Sequence, residues 1–181
     1  MSAIEAICNK AREASYQTAT LDGATKNKVL ENLAGLLDAR RDAIGEANRR
    51  DLEANREIAP ALYKRLELSD RKIDDLVSGL HSLVALDDPN GKTLGATLLD
   101  DGLELFKVAS PIGVIGVIFE ARPDAFVQIA ALCIKSGNCA ILKGGREAEA
   151  TNACLAGLVR EAGRELLPEN AIQRIETREQ V

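Results

Sequence analysis

Val114-Ile115-Gly116-Val117-Ile118-Phe119, followed by Glu120-Ala121-Arg122-Pro123, is the stretch on which the fold turns. The run is apolar without polar alternation. That pattern reads as a short strand covered on both faces, as in a parallel sheet. Arg122-Pro123-Asp124 then opens a helix, since Pro suits a first turn and Asp suits the positive end of the helix dipole. Phe126, Val127, Ile129, Ala130, Cys133 and Ile134 give that helix an apolar face, and Ser136-Gly137-Asn138 ends it, with Gly137 the natural C-terminal cap. Cys139-Ala140-Ile141-Leu142 reads as the second strand and Lys143-Gly144-Gly145-Arg146 as the turn after it. A helix is expected from Glu147 to about Leu166, carrying Ala150, Ala153, Cys154, Leu158 and Val159. Pro168 marks a loop, and Ala171-Ile172-Gln173-Arg174-Ile175 reads as a third strand. The order β-α-β-α-β with right-handed crossovers is one half of a doubly wound parallel sheet.

Outward from this core, residues 1–97 are read as a helical part of the same domain, and helical periodicity runs to about residue 86. Ile4, Ile7, Cys8 and Ala11 mark a first helix, and Val29, Leu30, Leu33, Leu36 and Leu37 a second. Asp38 to Glu57 is heavily charged, with Ile44, Ala47 and Leu52 expected to face inward. Ser69-Asp70 is a plausible cap for a further helix bearing Ile73, Leu76, Val77, Leu80 and Val84. Asp87-Asp88-Pro89-Asn90-Gly91 is a strong breaker. Residues 98–109 then read as a β-hairpin, because Asp101-Gly102 lies between apolar runs. The fold class is therefore α/β: a helical N-terminal segment and a hairpin leading into residues 110–181, part of a doubly wound sheet. Three parallel strands leave exposed edges, an aggregation liability unless covered, and this mismatch points to a chain that stops short of a complete domain.

The composition narrows function mainly by exclusion. The 181 residues include 23 basic and 28 acidic ones, a formal charge of −5, and only two Tyr and three Phe as aromatics. A nucleic-acid binder would carry a basic stripe or stacking aromatics, so this class is not expected. The longest apolar-plus-Gly run, Ile112 to Phe119, falls far short of the ~20 residues of a membrane span. The N-terminus lacks the basic and apolar regions of a secretory leader, so a cytoplasmic location is expected. Cys8, Cys133, Cys139 and Cys154 have no Cys-x-x-Cys spacing and His81 is the lone histidine, so no metal site is expected. The cysteines read as buried thiols and Cys8 as part of the first helix's apolar face. His81, one position off its helix stripe, reads as surface rather than as an acid-base residue.

The dinucleotide fingerprint Gly-x-Gly-x-x-Gly is absent, and Gly113 and Gly116 lie at the start of a strand, where they read as structural. Ligands in open α/β sheets bind beyond the carboxyl ends of the strands. Two cation-bearing loops emerge there, Glu120-Ala121-Arg122-Pro123 and Lys143-Gly144-Gly145-Arg146-Glu147. Gly144-Gly145 can admit a ligand to the backbone and to N–H groups at the next helix start, Lys143 and Arg146 can bind a phosphate, and Glu147 can accept from a ribose hydroxyl. The same residues equally describe an ordinary turn with solvated cations.

Two long stretches carry a resemblance. Ser110-Pro111-Ile112-Gly113-Val114-Ile115-Gly116-Val117-Ile118-Phe119-Glu120-Ala121-Arg122-Pro123, and Leu132-Cys133-Ile134-Lys135-Ser136-Gly137-Asn138-Cys139-Ala140-Ile141-Leu142-Lys143-Gly144-Gly145-Arg146-Glu147-Ala148, resemble the gamma-glutamyl phosphate reductase (glutamate-5-semialdehyde dehydrogenase) family of the aldehyde dehydrogenase superfamily. Weaker similarity reaches upstream through Leu62-Tyr63-Lys64-Arg65-Leu66 to Ala14-Ser15-Tyr16. The resemblance implies NADPH-dependent reduction of gamma-glutamyl phosphate to glutamate 5-semialdehyde, the second step of proline synthesis from glutamate. A cysteine thiolate expels phosphate, and the resulting thioester accepts hydride.

By the same resemblance, Lys143 matches a lysine contacting the adenosine ribose, and Gly144, Gly145, Arg146 and Glu147 match the rest of the cofactor loop. Lys143 and Arg146 are the candidates for the 2′-phosphate of NADPH. Phe119, Glu120 and Ala121 match the strand end beside the cofactor. Arg122 stands where many relatives have an oxyanion-stabilising asparagine, which suits an acyl phosphate. The hairpin around Asp100-Asp101-Gly102 resembles an oligomerisation element, implying a homo-oligomer. Asp124 departs from the common pattern, leaving its substrate contacts open. Nothing matches the family's nucleophilic cysteine motif, and the similarity stops near Ile175-Glu176-Thr177-Arg178-Glu179. The chain alone is thus expected to be inactive. The other reading is a non-catalytic NADP-binding or interaction fragment.

Overall fold

The computed structural model describes residues 2–176. Thr177, Arg178 and Glu179, where the resemblance ends, lie outside the described residues. Five helices come first: α1 (Ala3–Thr18), α2 (Gly23–Ala39), α3 (Arg41–Ala54), α4 (Pro60–Leu66) and α5 (Asp70–Ala85). Ser2 and Glu5 close a reciprocal capping box on α1, and the Asp22 side chain caps α2. Ser69 takes the expected cap position of α5 but makes no side-chain bond there. Lys72, on α5, donates instead to the carbonyls of Lys64, Arg65 and Glu67, which closes the C-terminal end of α4.

A hairpin follows, β1 (Thr93–Asp100) against β2 (Leu103–Val108), antiparallel, with Gly102 at φ 75° in its turn. Its first strand begins at Thr93, ahead of the expected Leu98, because Thr93 and Gly95 already pair with Val108 and Lys107. Gly95 and Ala96 had masked that extension. Both faces of the hairpin are exposed, including Leu94, Leu98, Leu99, Leu103, Leu105, Phe106 and Val108.

The second sheet is the expected one. β3 (Val114–Ile118), β4 (Cys139–Lys143) and β5 (Ile172–Arg174) are parallel in the order β3-β4-β5. They are joined by α6 (Pro123–Lys135), then a single 3-10 turn at Arg146–Ala148 and α7 (Glu149–Ala162). The last helix is thus shorter than Glu147–Leu166, and Ala153 faces solvent. Alternate residues of β4 point to opposite faces. Ala140 and Leu142 join the main core with α2, α5, α6 and α7, including Leu30, Leu33, Phe126, Ile134 and Leu155. Ile141 packs on Ala11 and Ile175, and Cys139 packs on Ala14 and Ala171, so α1 covers the other face.

Coverage on both faces holds for β4 but not for β3, a correction to the reading of Val114–Phe119. β3 is an edge strand: Ile115 and Val117 pack on the core, while Ile118 is 78% exposed beyond the reach of α1. On α1 the inward face is Ile4, Ile7, Ala11, Ala14, Ser15 and Thr18, and Cys8 falls outside it, exposed. On α3, Ile44 is buried as expected, but Ala47 and Leu52 are only partly buried, and the buried polar residues Asn48 and Asp51 complete that face. His81 is exposed.

Candidate active site

Parallel pairing of β3 with β4 sets two loops side by side. Ile118 pairs with Lys143, and the Phe119 N–H donates to the Lys143 carbonyl at 3.1 Å. The strands therefore end together, and Phe119–Arg122 emerges beside Lys143–Glu147. Phe119, Glu120, Ala121 and Arg122 of one loop thus stand beside Lys143, Gly144, Gly145, Arg146 and Glu147 of the other. Phe119 turns inward, its ring edge-on to Phe126 with centroids 6.4 Å apart. Glu120 and Arg146 are exposed, and neither makes a side-chain hydrogen bond among the described residues. Lys143 donates to the carbonyl of Gly144 at 2.8 Å. Arg122 is largely exposed and reaches Asp124 at 3.5 Å, a long contact.

The space beside both glycines of the second loop is already taken by side chains. A Cβ on Gly144 would strike the Asn152 side-chain amide and crowd the Phe119 ring. A Cβ on Gly145 would strike the Glu147 carboxylate. That carboxylate is not turned to solvent: it accepts the backbone N–H of Ala121, in the neighbouring loop. Ala121 has φ 48° and is 2% exposed.

The expectation that the next helix start offers free N–H groups to an anion is corrected. Asp51, on α3, accepts from Ala150 N–H at 3.0 Å, Thr151 N–H at 2.7 Å and the Thr151 hydroxyl at 2.6 Å. A buried carboxylate already caps α7 and repels a second anion. Asn55 donates to the Glu147 carbonyl at 3.2 Å, so α3 also holds the loop itself. Asp51, Asn55 and Asn152 were not anticipated from sequence. Asp51 and Asn55 lie in a stretch whose charge density reads as a solvated surface, and nothing local marks them.

Cys133 and Cys139 lie away from these loops. Cys139 opens β4, at the opposite end of the strand from Lys143, and Cys133 lies near the end of α6. Burial, reinforced by Cys139, pushes the Cys133 thiol up to about 11. Burial also raises Cys139, although a hydrogen bond with Thr18 opposes it, and burial raises Cys154. At pH 8 a soluble thiol reagent is therefore expected to modify Cys8 first and the others only on unfolding; a Cys8→Ser chain that still labels rapidly would contradict this. Among the described residues no cluster of His, Cys, Asp and Glu could hold a metal ion, and no helix is long and apolar enough to cross a membrane.

Known proteins place this geometry in a family. The sequence pattern that defines the aldehyde dehydrogenase family matches residues 1–181. A protein of Acetivibrio thermocellus named gamma-glutamyl phosphate reductase is 51% identical over 173 residues, covering 94% of this chain and 40% of that protein. The crystal structure of gamma-glutamyl phosphate reductase from Thermotoga maritima superposes with a TM-score of 0.92 at 36% identity, covering 96% of this chain and 43% of that one. Its Saccharomyces cerevisiae counterpart superposes with a TM-score of 0.94 at 39% identity, covering 98% and 47%. The chain spans less than half the length of each. With the family pattern matched from end to end and the fold shared throughout, the chain belongs to the aldehyde dehydrogenase family.

Proposed function

We propose that this chain carries the cofactor-binding loops of an NADP(H)-dependent gamma-glutamyl phosphate reductase, which forms glutamate 5-semialdehyde on the way to proline. The observation that carries this reading is the juxtaposition of Arg122, Lys143 and Arg146 at the paired carboxyl ends of β3 and β4. Net charge is −5, so attraction of an anionic substrate and cofactor has to be local, and these are the local cations. The residues suit a cofactor with an extra phosphate. Lys143 and Arg146 flank Gly144 and Gly145, and among the described residues the exposed Arg146 guanidinium makes no hydrogen bond or ion pair. With α7 already capped by Asp51, the diphosphate has no helix start to use there, and the contacts fall to the loop side chains.

Glu120 is the exposed residue of the first loop, with Phe119 and Ala121 packed beneath it, and Gly144, Gly145 and Glu147 shape the second one. Arg122 is placed to offset charge on the acyl-phosphate oxygens as phosphate leaves. The bound nicotinamide supplies or accepts hydride. No thiol of this chain stands at the carboxyl ends of β3 and β4, so it is expected not to turn over alone. The apolar hairpin is read as the contact surface of a homo-oligomer, and the free thiols suit a cytoplasmic setting.

Calorimetry tests the cofactor assignment on this chain. NADP⁺ is expected to bind more tightly than NAD⁺. Lys143→Ala with Arg146→Ala is expected to cost NADP⁺ tenfold or more in affinity and to close that gap. Equal binding of the two nucleotides by the unmodified chain would overturn the 2′-phosphate assignment. The reaction itself is tested on a full-length enzyme containing these residues, by phosphate-dependent reduction of NADP⁺ with glutamate 5-semialdehyde.

A further inference from the structure

We propose that Glu147 is a positioning residue: its carboxylate holds the backbone of Ala121 and so sets where Arg122 stands, coupling the substrate-side loop to the cofactor-side loop. The proposal rests on the reading of the two loops given above, but its evidence is separate. Ala121 has φ 48°, in the left-handed region that residues with a side chain enter rarely and keep only where the surroundings hold them. Its amide is 2% exposed as part of the residue, so the N–H needs a protein acceptor, and Glu147 is that acceptor. The next residue is Arg122. Among the described residues its guanidinium has only the long contact to Asp124, so its own side chain anchors it weakly. The direction in which it leaves the loop is therefore set by the backbone at Ala121.

Glu147 is in turn held from two sides. Its carbonyl accepts from Asn55, whose amide also reaches the Asp51 carbonyl on α3. Its carboxylate occupies the space left by the missing Cβ of Gly145. The chain of contacts runs from α3 through Asn55 and Glu147 to Ala121 and Arg122. Spacing alone offered this carboxylate to a ribose hydroxyl. In the fold one of its oxygens serves the neighbouring loop instead, and a nucleotide seated on Lys143–Arg146 would press on the same element that aims Arg122.

The test is made on the whole chain by amide exchange at Ala121, by the response of the Arg122 side-chain NMR signal to inorganic phosphate, and by NADP⁺ calorimetry. In the unmodified chain Ala121 is expected to be protected. Glu147→Ala is expected to speed its exchange tenfold or more and to weaken the phosphate response of Arg122. Glu147→Gln keeps an acceptor oxygen and is expected to restore both. Gly145→Ala evicts the carboxylate without removing it and is expected to reproduce the Ala121 exchange of Glu147→Ala, with nothing added in the double variant.

Unprotected Ala121 in the unmodified chain, or protection that survives Glu147→Ala, overturns the proposal. So does a tenfold loss of NADP⁺ in Glu147→Ala with Ala121 unchanged, which would return Glu147 to the ribose. The Ala121 measurement needs no ligand. A chain that binds no NADP⁺ would therefore overturn the functional reading while the exchange data still decide this one.

Discussion

Asp88→Ala is expected to destabilise the chain by about 3 kcal/mol, the low end for removing one partner of a buried ion pair, because Asp88 is itself partly exposed. Lys26, on α2, is fully buried, and its ammonium meets Asp88 at 2.6 Å. Without Asp88, the buried ammonium would lose its ion pair and keep only the more distant charge of Asp22. The pair also joins distant parts of the chain. Asp88 lies between α5 and the hairpin, and it accepts the Asn90 N–H at 3.0 Å. Lys135, at the end of α6, donates to Asn27 and to the carbonyls of Val84 and Leu86, so the same region receives a second buried lysine. Burial lowers Lys135 from its ordinary value, opposed by the nearby Asp88.

Burial pushes the Asp88 carboxyl up, but the hydrogen bonds from Lys26 and Asn90 and the charges of Lys26 and Lys135 outweigh it, and the net direction is down. A carboxyl lowered in the folded state contributes stability above its unfolded value, near ~3.9, and loses it as pH falls through the folded value. Part of the acid sensitivity of the chain below about pH 4 should therefore disappear with Asp88→Ala. Urea unfolding at pH 7 and pH 3.5 measures both effects. Lys26→Met added to Asp88→Ala is expected to recover most of the loss, since the orphaned charge is then gone. A single variant as stable as the unmodified chain would show that the pair contributes nothing.

Asp51→Ala is expected to cost about 3 kcal/mol, because three hydrogen bonds to one buried carboxylate are lost and their donors are left without partners. The effect reaches beyond a helix cap. The Thr151 hydroxyl, which donates to Asp51, also accepts from Asn48 at 3.2 Å. Asn48 in turn donates to the Leu66 carbonyl at 2.9 Å and accepts the Leu68 N–H at 2.8 Å. This network fastens α3 to α7 and to the segment after α4. Thr151→Val should cost less, and the double variant should fall short of the sum, as expected of residues in one network. Asp51→Asn is expected to recover only part, since its NH₂ group would face N–H donors. Denaturant midpoints for the four chains check the cycle; full additivity would sever Asp51 from Thr151.

Asp51 and Lys26 show why part of the molecule could not be read in advance. Each sits in a helix among charged neighbours, and charged helix residues are mostly solvated. What buries them is a partner far along the chain: Thr151 for Asp51 and Asp88 for Lys26. The strands of the parallel sheet are the opposite case. Val114–Phe119 and Cys139–Leu142 announce themselves through continuous apolar character, and Gly137 through its position after an amphipathic helix, where it adopts φ 70°. Cys8 erred for a simpler reason: it lies at the margin of the α1 stripe, and the helix packs by Ile4, Ile7 and Ala11. The hairpin erred at its boundary because glycine and alanine pair in a ladder without looking like strand residues.

By itself the sequence determined the order of elements, the parallel β-α-β-α-β unit, the two loops that carry Arg122, Lys143 and Arg146, and the family resemblance. These depend on local periodicity and on which residues follow a strand, and neighbours along the chain are enough to specify them. How those loops are held depends on packing between distant segments. The tertiary structure gave the start of α7 to Asp51, turned Glu147 onto Ala121, and showed that Gly144 and Gly145 make room for Asn152 and Glu147. The physical reason is that buried N–H groups and carboxylates have to find partners, and the choice among partners is made by packing in three dimensions rather than by spacing along the chain.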